Sequence, residues 1–134
     1  MIAVDTSALV KKYLNEQHSQ WMEDLMFEDQ EWCGSMLLAT ESAVAVARDI
    51  ERTEDLNSVD QELTRDLDRF NFISVDADCL ANAVDIGRAF GLRTLDAIHL
   101  AAARRLPNDC RFITFDDRQR EAAESLGIEL LAPA

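Results

Sequence analysis

The feature that most constrains this chain is a short apolar run that passes directly into a helix start. Ile2, Ala3 and Val4 are apolar without alternation, and Asp5, Thr6 and Ser7 follow at once. A central strand of a parallel sheet reads this way, because it is covered on both faces and has no wet side to mark with polar residues. Parallel sheets bind ligands beyond the carboxyl ends of their strands. Asp5 therefore stands at the edge where chemistry is done, and the rest of the chain decides which side chains join it.

The same grammar continues downstream. A short helix is predicted to start at Thr6 or Ser7 and continue from Leu9 to Leu14, broken by polar residues from Asn15 to Ser19. Trp21, Met22, Leu25 and Met26 then form an apolar stripe on a second helix, Gln17 to Asp29, with Phe27 beside it. Glu31 to Ser35 predicts a short strand and turn, with Ser35 capping a long helix from Met36 to about Glu54. Thr53 to Ser58 is polar and reads as a break. Val59 to Phe70 is again helical, with Leu63, Leu67 and Phe70 on one face. Phe72 to Val75 is a buried strand, Asp76 caps a helix to Phe90, and Gly91 supplies the left-handed residue that stops it. Thr94 caps a helix from Leu95 to Arg105, closed by Pro107. Arg111 to Phe115 is a strand, Asp116 to Leu126 a helix stopped by Gly127, and Ile128 to Leu131 a last strand. Five strands alternating with about seven helices, and no linker-like segment, predict one α/β domain over residues 1–134 with a parallel sheet.

Composition narrows the function classes. With 13 basic and 26 acidic residues the net charge is −13, which argues against a general nucleic-acid-binding surface. Basic pairs at helical spacing, Arg48 with Arg52 and Arg65 with Arg69, offer local positive stripes, and pairing with nearby acids is the plainer account of most of them. Cys33, Cys79 and Cys110 are odd in number and widely spaced, so neither a disulfide framework nor a zinc site is predicted. Without a leader-like start or a spanning apolar run, the expectation is a cytoplasmic protein with no membrane association.

Four acids stand out. Asp5 and Asp116 each sit where a strand gives way to a helix, and an N-cap role accounts for either one alone about as well as chemistry does. Asp96 lies in the first turn after Thr94, where the helix dipole welcomes a carboxylate. Glu41 is different, because in MLLATESAVAVA it shares a face with Leu37, Leu38, Val44 and Ala45 and has no basic residue within a turn. A glutamate buried without a cation costs several kcal/mol, roughly, so this one is expected to be compensated. A metal ion accounts for all four, since clustered carboxylates otherwise repel and take up protons together. All-oxygen ligands without a His or Cys cluster favour Mg²⁺ or Mn²⁺. His99, one turn after Asp96, is assigned a supporting place and not a ligand's; His18 is expected on the surface; Asp117 is a possible fifth acid beside Asp116.

The stretches IAVDTSALVKKYL, LLATESAVAV, LRTLDAIHLAAA and FITFDDRQREAAESLGI, in this order and spacing, resemble the PIN-domain ribonucleases, and most closely the VapC-type toxins of toxin–antitoxin pairs. The resemblance covers nearly the whole chain, and RTLDAIHLAAA is its most specific piece. It implies a three-layer sandwich with a central parallel five-stranded sheet in the order 3-2-1-4-5. It maps the family's acidic quartet onto Asp5, Glu41, Asp96 and Asp116, and a hydroxyl before the last acid onto Thr114. The quartet would bind one or two Mg²⁺ or Mn²⁺ ions and hydrolyse RNA phosphodiesters as an endonuclease, leaving 5′-phosphate and 3′-hydroxyl ends. The partners implied are an RNA substrate, a small antitoxin protein that wraps a groove of the early helices, and a second copy in a homodimer. Part of the Trp21, Met22, Leu25, Met26 stripe is then expected to stay open in the protomer.

Two alternatives share the fold: a housekeeping RNA-processing nuclease, and a catalytically silent domain used for protein binding, against which the intact quartet counts. A receiver domain would need an adjacent acid pair after the first strand and a late lysine, and neither is present. A haloacid-dehalogenase-type phosphatase would want an acid where Ser7 stands.

Overall fold

Three residues suffice for the central strand, β1 (Ile2–Val4), because all three are buried. Ile2 and Val4 enter one apolar layer and Ala3 the opposite one, as the period of two requires. The computed structural model describes residues 1–28 and 31–134. After β1 come α1 (Thr6–Leu9), a 3₁₀ turn (Val10–Lys12), α2 (Ser19–Phe27), β2 (Trp32–Ser35), α3 (Leu38–Asp49), α4 (Thr53–Leu67) and β3 (Asn71–Ile73). Then follow α5 (Ala77–Phe90), α6 (Thr94–Ala103), β4 (Arg111–Ile113), α7 (Asp117–Ser125) and β5 (Glu129–Leu130). The five strands form one sheet in the order β3-β2-β1-β4-β5, every neighbouring pair parallel. This is the order that the family resemblance implies.

The sheet separates two cores. On one face Ile2, Val4, Trp32 and Ile113 meet Leu9, Met22, Leu38 and Leu63 from α1 to α4. On the other, Phe112 meets Ile86 of α5, Leu100 of α6 and Ala122 of α7. Asp76 caps α5 by accepting the Cys79 N–H at 2.9 Å, and Gly91 ends that helix at φ 65°. Both match the sequence-based expectation.

Several boundaries differ, for local reasons. The long helix expected from Met36 to Glu54 is two helices, because Ile50 turns extended and Glu54 and Asp55 serve as the acidic first turn of α4. The polar stretch Thr53–Ser58 is thus helix and not a break. Ser35 closes β2 and caps only a turn, accepting the Leu37 N–H at 3.1 Å. Thr94 begins α6 without a side-chain cap, and the cap position falls on Arg93. The second helix is shorter than expected, and its predicted end, Asp29, lies outside the described residues. Of the stripe on α2, Met22 and Met26 are closed into the core, whereas Trp21 and Leu25 are half-buried and Phe27 is 91% exposed.

Lys12, Tyr13 and Asp66 make a link that no sequence pattern announces. The buried Asp66 carboxylate accepts from Lys12 Nζ at 2.6 Å and from Tyr13 Oη at 2.5 Å, tying the turn after α1 to α4.

Gly34 lets α3 approach the sheet. A Cβ there would lie 2.5 Å from Leu38 Cδ2, a fully buried atom group with little room to yield. Gly34→Ala is expected to destabilise by about 1–3 kcal/mol through overpacking. In a Leu38→Ala background the same change is expected to cost much less, and urea titration of the four-member cycle measures the coupling. Equal costs in both backgrounds would refute the close-approach account.

Candidate active site

The register of the sheet assembles the site. Val4 pairs with Ile113, so the next residues, Asp5 and Thr114, emerge side by side from the carboxyl ends of β1 and β4. Ser35, the last residue of β2, joins them on the other side of β1. The parallel topology thus brings a carboxylate and two hydroxyls to one edge.

Asp5 is 2% exposed and surrounded by donors. Its Oδ1 accepts the Ala8 N–H at 3.1 Å, which caps α1. Ser7 Oγ donates to both carboxylate oxygens, at 2.8 and 2.9 Å, and accepts the Phe115 N–H at 2.9 Å. Thr114 Oγ1 lies 3.0 Å from Asp5 Oδ2 and 2.7 Å from Gln119 Oε1, and its single hydrogen cannot serve both acceptors at once. Burial outweighs these donors and pushes the Asp5 carboxyl up to about 6.

Glu41 and Asp96 sit beside His99, which is buried on the inner side of α6. Its Nδ1 meets Ser35 Oγ at 3.1 Å and its Nε2 meets Glu41 Oε1 at 2.5 Å, with Thr6 Oγ1 at 3.4 Å. The His99 hydrogen bond holds the Glu41 carboxyl below its ordinary value, against a smaller opposing effect of burial. Asp96 is half-buried; burial first, then the charges of Asp116 and Glu41, push its carboxyl up. Asp116 caps α7 by accepting the Gln119 N–H at 2.8 Å, while its own N–H goes to Thr114 Oγ1 at 3.1 Å. Gln119, wholly buried, closes the ring by donating from Nε2 to the Asp96 carbonyl at 3.0 Å.

Asp96 therefore feels the charges of Asp116 and Glu41, while the charge acting on Asp5 is that of His99. Glu41 differs from expectation in one respect. Its side chain is 26% exposed, because α3 buries Leu38, Ser42 and Val46 but leaves Val44 and Arg48 outside, and its compensating group is His99. His99 is accordingly more central than its sequence context indicates. His18 is not a plain surface residue: it is half-buried at φ 70° and stacks on Phe115 with ring centroids 5.4 Å apart. Asp117 is exposed, and the acid beside Asp96 is Asp116. Ser35, expected only as a helix cap, holds His99, and Ser7 and Gln119 join the site without a place in the sequence-based expectation. Gln119 had a signal, since with Ala122 and Ala123 it marks the inner face of α7 at spacing i, i+3, i+4.

The model of the PIN domain matches residues 2–125 of this chain. The chain belongs to the PIN-domain family. Ribonuclease VapC46 of Mycobacterium tuberculosis is 34% identical over 134 residues, covering 99% of this chain and 98% of that protein. Ribonuclease VapC35 of the same species is 36% identical over 138 residues, covering 99% and 97%. Among solved structures, a chain of a toxin–antitoxin complex from Klebsiella pneumoniae superposes with a TM-score of 0.71 at 19% identity, over 100% of this chain and 98% of that one. At that identity the likeness is one of fold.

A divalent cation is implied by this family, and the donors here suit one in kind. They are hard carboxylate oxygens, two of them held in surroundings that disfavour their negative charge. Among the described residues no three His, Cys, Asp or Glu side chains are already gathered closely enough to enclose an ion. An ion that keeps several of its waters needs only one or two such carboxylates, whereas an ion held in a full protein cage needs more.

The raised Asp5 carboxyl makes stability depend on pH. The folded protein holds this proton at pH values where the unfolded chain has released it. Its contribution is complete below about pH 4, and about 3 kcal/mol is lost by the time pH has risen past 6. Asp5→Asn is therefore expected to be more stable than wild type at pH 7 by roughly 2–3 kcal/mol, with the difference vanishing near pH 4. An Asn amide would also donate to Thr114 and free its hydrogen for Gln119. Urea titrations in EDTA at both pH values check this, and a variant less stable throughout would refute it.

Proposed function

We propose that this chain, a single PIN domain over residues 1–134, is a metal-dependent endoribonuclease acting as the toxin of a toxin–antitoxin pair. The observation that carries the proposal is the desolvated Asp5 carboxylate at the carboxyl end of β1, beside Thr114 of β4, together with Asp96, which burial and the charges of Asp116 and Glu41 push up. Full-length likeness to two proteins named ribonuclease VapC supports the reaction, and the fold match to a chain of a toxin–antitoxin complex supports the biological setting.

Asp5 and Asp96 are the first choices to hold Mg²⁺ or Mn²⁺, with Glu41 and Asp116 completing the set directly or through water. When bound, the ion supplies positive charge against the charge that develops during phosphodiester hydrolysis and makes water a better nucleophile near neutral pH. The protein's own part is orientation. Ser7 and Thr114 fix the Asp5 carboxylate, His99 fixes Glu41, and Gln119 locks α7 to α6 so that Asp116 and Asp96 stay together. In this reading one of the four acids also orients the attacking water.

A small antitoxin would use the α2 face, where Trp21 and Leu25 are only half covered and Phe27 stands free. A homodimer and a cytoplasmic location complete the proposal. Cys33, Cys79 and Cys110 are free and buried, and no described helix is long and apolar enough to cross a membrane.

Purified protein is expected to cleave RNA with Mg²⁺ or Mn²⁺ and to stop in EDTA. Asp5→Asn and Asp96→Asn are each expected to lower the rate by about 100-fold or more, and Asp117→Asn by no more than a few-fold. In cells the same two variants should lose growth inhibition. Equal cleavage by wild type and Asp5→Asn would overturn the assignment, and metal-independent cleavage would overturn the cofactor.

A further inference from the structure

A cleft of about 520 Å³ opens beside the acids, and its lining combines Glu41 and Asp96 with Arg48, Arg93, Val44 and Leu95. Glu41, Val44 and Arg48 fall at i, i+3 and i+7 on α3 and so share a face. Arg93 and Leu95 flank the start of α6, one turn or less from Asp96. Both arginines are exposed, and Val44 and Leu95 remain 48% and 44% exposed.

What sets these arginines apart is their place: among the described basic residues that form no ion pair, Arg48 and Arg93 are the two that line the cleft beside Glu41 and Asp96. Lys11, Lys12, Arg52, Arg69 and Arg105 are all paired with carboxylates. Among the described residues neither Arg48 nor Arg93 forms an ion pair, yet each lies close enough to act on an acid of the site. Glu41 is held low by the His99 hydrogen bond first and by Arg48 in addition; Asp96, pushed up chiefly by burial, is eased by His99 and Arg93.

In a chain of net charge −13 a polyanion is repelled nearly everywhere, so it needs local cations where it must come closest. Guanidinium groups suit this task because they grip phosphate oxygens in pairs. We infer that this cleft is the track for the substrate RNA strand, with Arg48 and Arg93 binding the phosphates next to the scissile one and Val44 and Leu95 meeting the sugar and base between them. The inference rests on the ribonuclease proposal and names its substrate-positioning residues. Arg48 also meets the negative end of α3, a structural role that would affect stability but not the salt dependence of RNA binding.

The test uses full-length protein and a labelled mixed-sequence single-stranded oligoribonucleotide. Binding is measured in EDTA in the Asp5→Asn background, and cleavage with Mn²⁺ in the parent. Arg48→Gln and Arg93→Gln are each expected to weaken binding about 5- to 10-fold and to flatten the slope of log affinity against log salt by about 0.7. In cleavage KM should rise by a similar factor while kcat changes less than about 3-fold. Lysine at either position should restore the slope but only part of the affinity. Arg65→Gln, exposed on α4 away from the cleft, should change neither. Unchanged binding in both glutamine variants would overturn the inference. So would an equal loss in Arg65→Gln, or loss of antitoxin binding with RNA binding intact, which would assign the cleft to a protein partner. If cleavage still requires Asp5 while the arginine variants bind normally, this inference alone fails; if wild type neither binds nor cleaves RNA, the ribonuclease proposal fails with it.

Discussion

The parallel pairing of β1 with β4 is the constraint on which the site depends. Because Val4 lies opposite Ile113, Asp5 and Thr114 leave the sheet together and meet across 3.0 Å. A slip of one residue would send Ile2 and Val4 into the layer that now receives Ala3, and would turn Asp5 away from Thr114. The register is secured by burial on both faces: Ile2, Val4, Phe112 and Ile113 are each at most 2% exposed. The same apolar contacts that stabilise the fold therefore hold a carboxylate where solvation is poor.

That carboxylate stands in an acceptor-rich network. Ser7 spends its hydrogen on Asp5, Thr114 has one hydrogen for Asp5 and Gln119, and Asp96 faces Asp116 and Glu41 with only His99 and Arg93 in relief. Such an arrangement has spare oxygen lone pairs and too little positive charge. A proton satisfies part of that deficit in acid, and a cation would satisfy it at neutral pH. Sites of this kind lower the stability of the free protein, as expected where function requires groups that folding alone would not select.

Much of this was legible in the sequence because it rests on periodicity and on caps. An unalternating apolar triplet identified β1, Asp76 and Gly91 bounded α5, and Asp5 and Asp116 marked strand ends. The buried strand expected over Phe72 to Val75, by contrast, is the edge strand Asn71–Ile73, with Asn71 and Phe72 exposed. What escaped depends on contacts between distant segments. The break between α3 and α4 carries no Gly or Pro, so a polar stretch that is in fact an exposed helix start read as a loop. Glu41 read as buried because its neighbours on α3 are small and apolar. α1, the 3₁₀ turn and α4 cover only one side of that helix, and His99, 58 residues away, supplies the partner. Gln119 lies between two arginines in the most polar helix of the chain, and only its place on the inner face reveals that it faces the sheet edge.

The half-exposure of α3 also bears on how an acidic protein approaches RNA. A wholly buried α3 would have isolated Glu41 from substrate; instead its open side carries Val44 and Arg48 from the acid out to solvent. Net charge and local charge then act at different ranges. Out to about a Debye length from the surface, about 8 Å at physiological salt, the −13 chain discourages random association with polyanions. Within the cleft, two guanidinium groups offset the charge of Glu41 and Asp96. Few phosphate contacts make for weak non-specific affinity and a shallow salt dependence. Discrimination among RNAs would then fall to the fit of a particular strand in the cleft, since the surface around it supplies no general attraction to hold the wrong one.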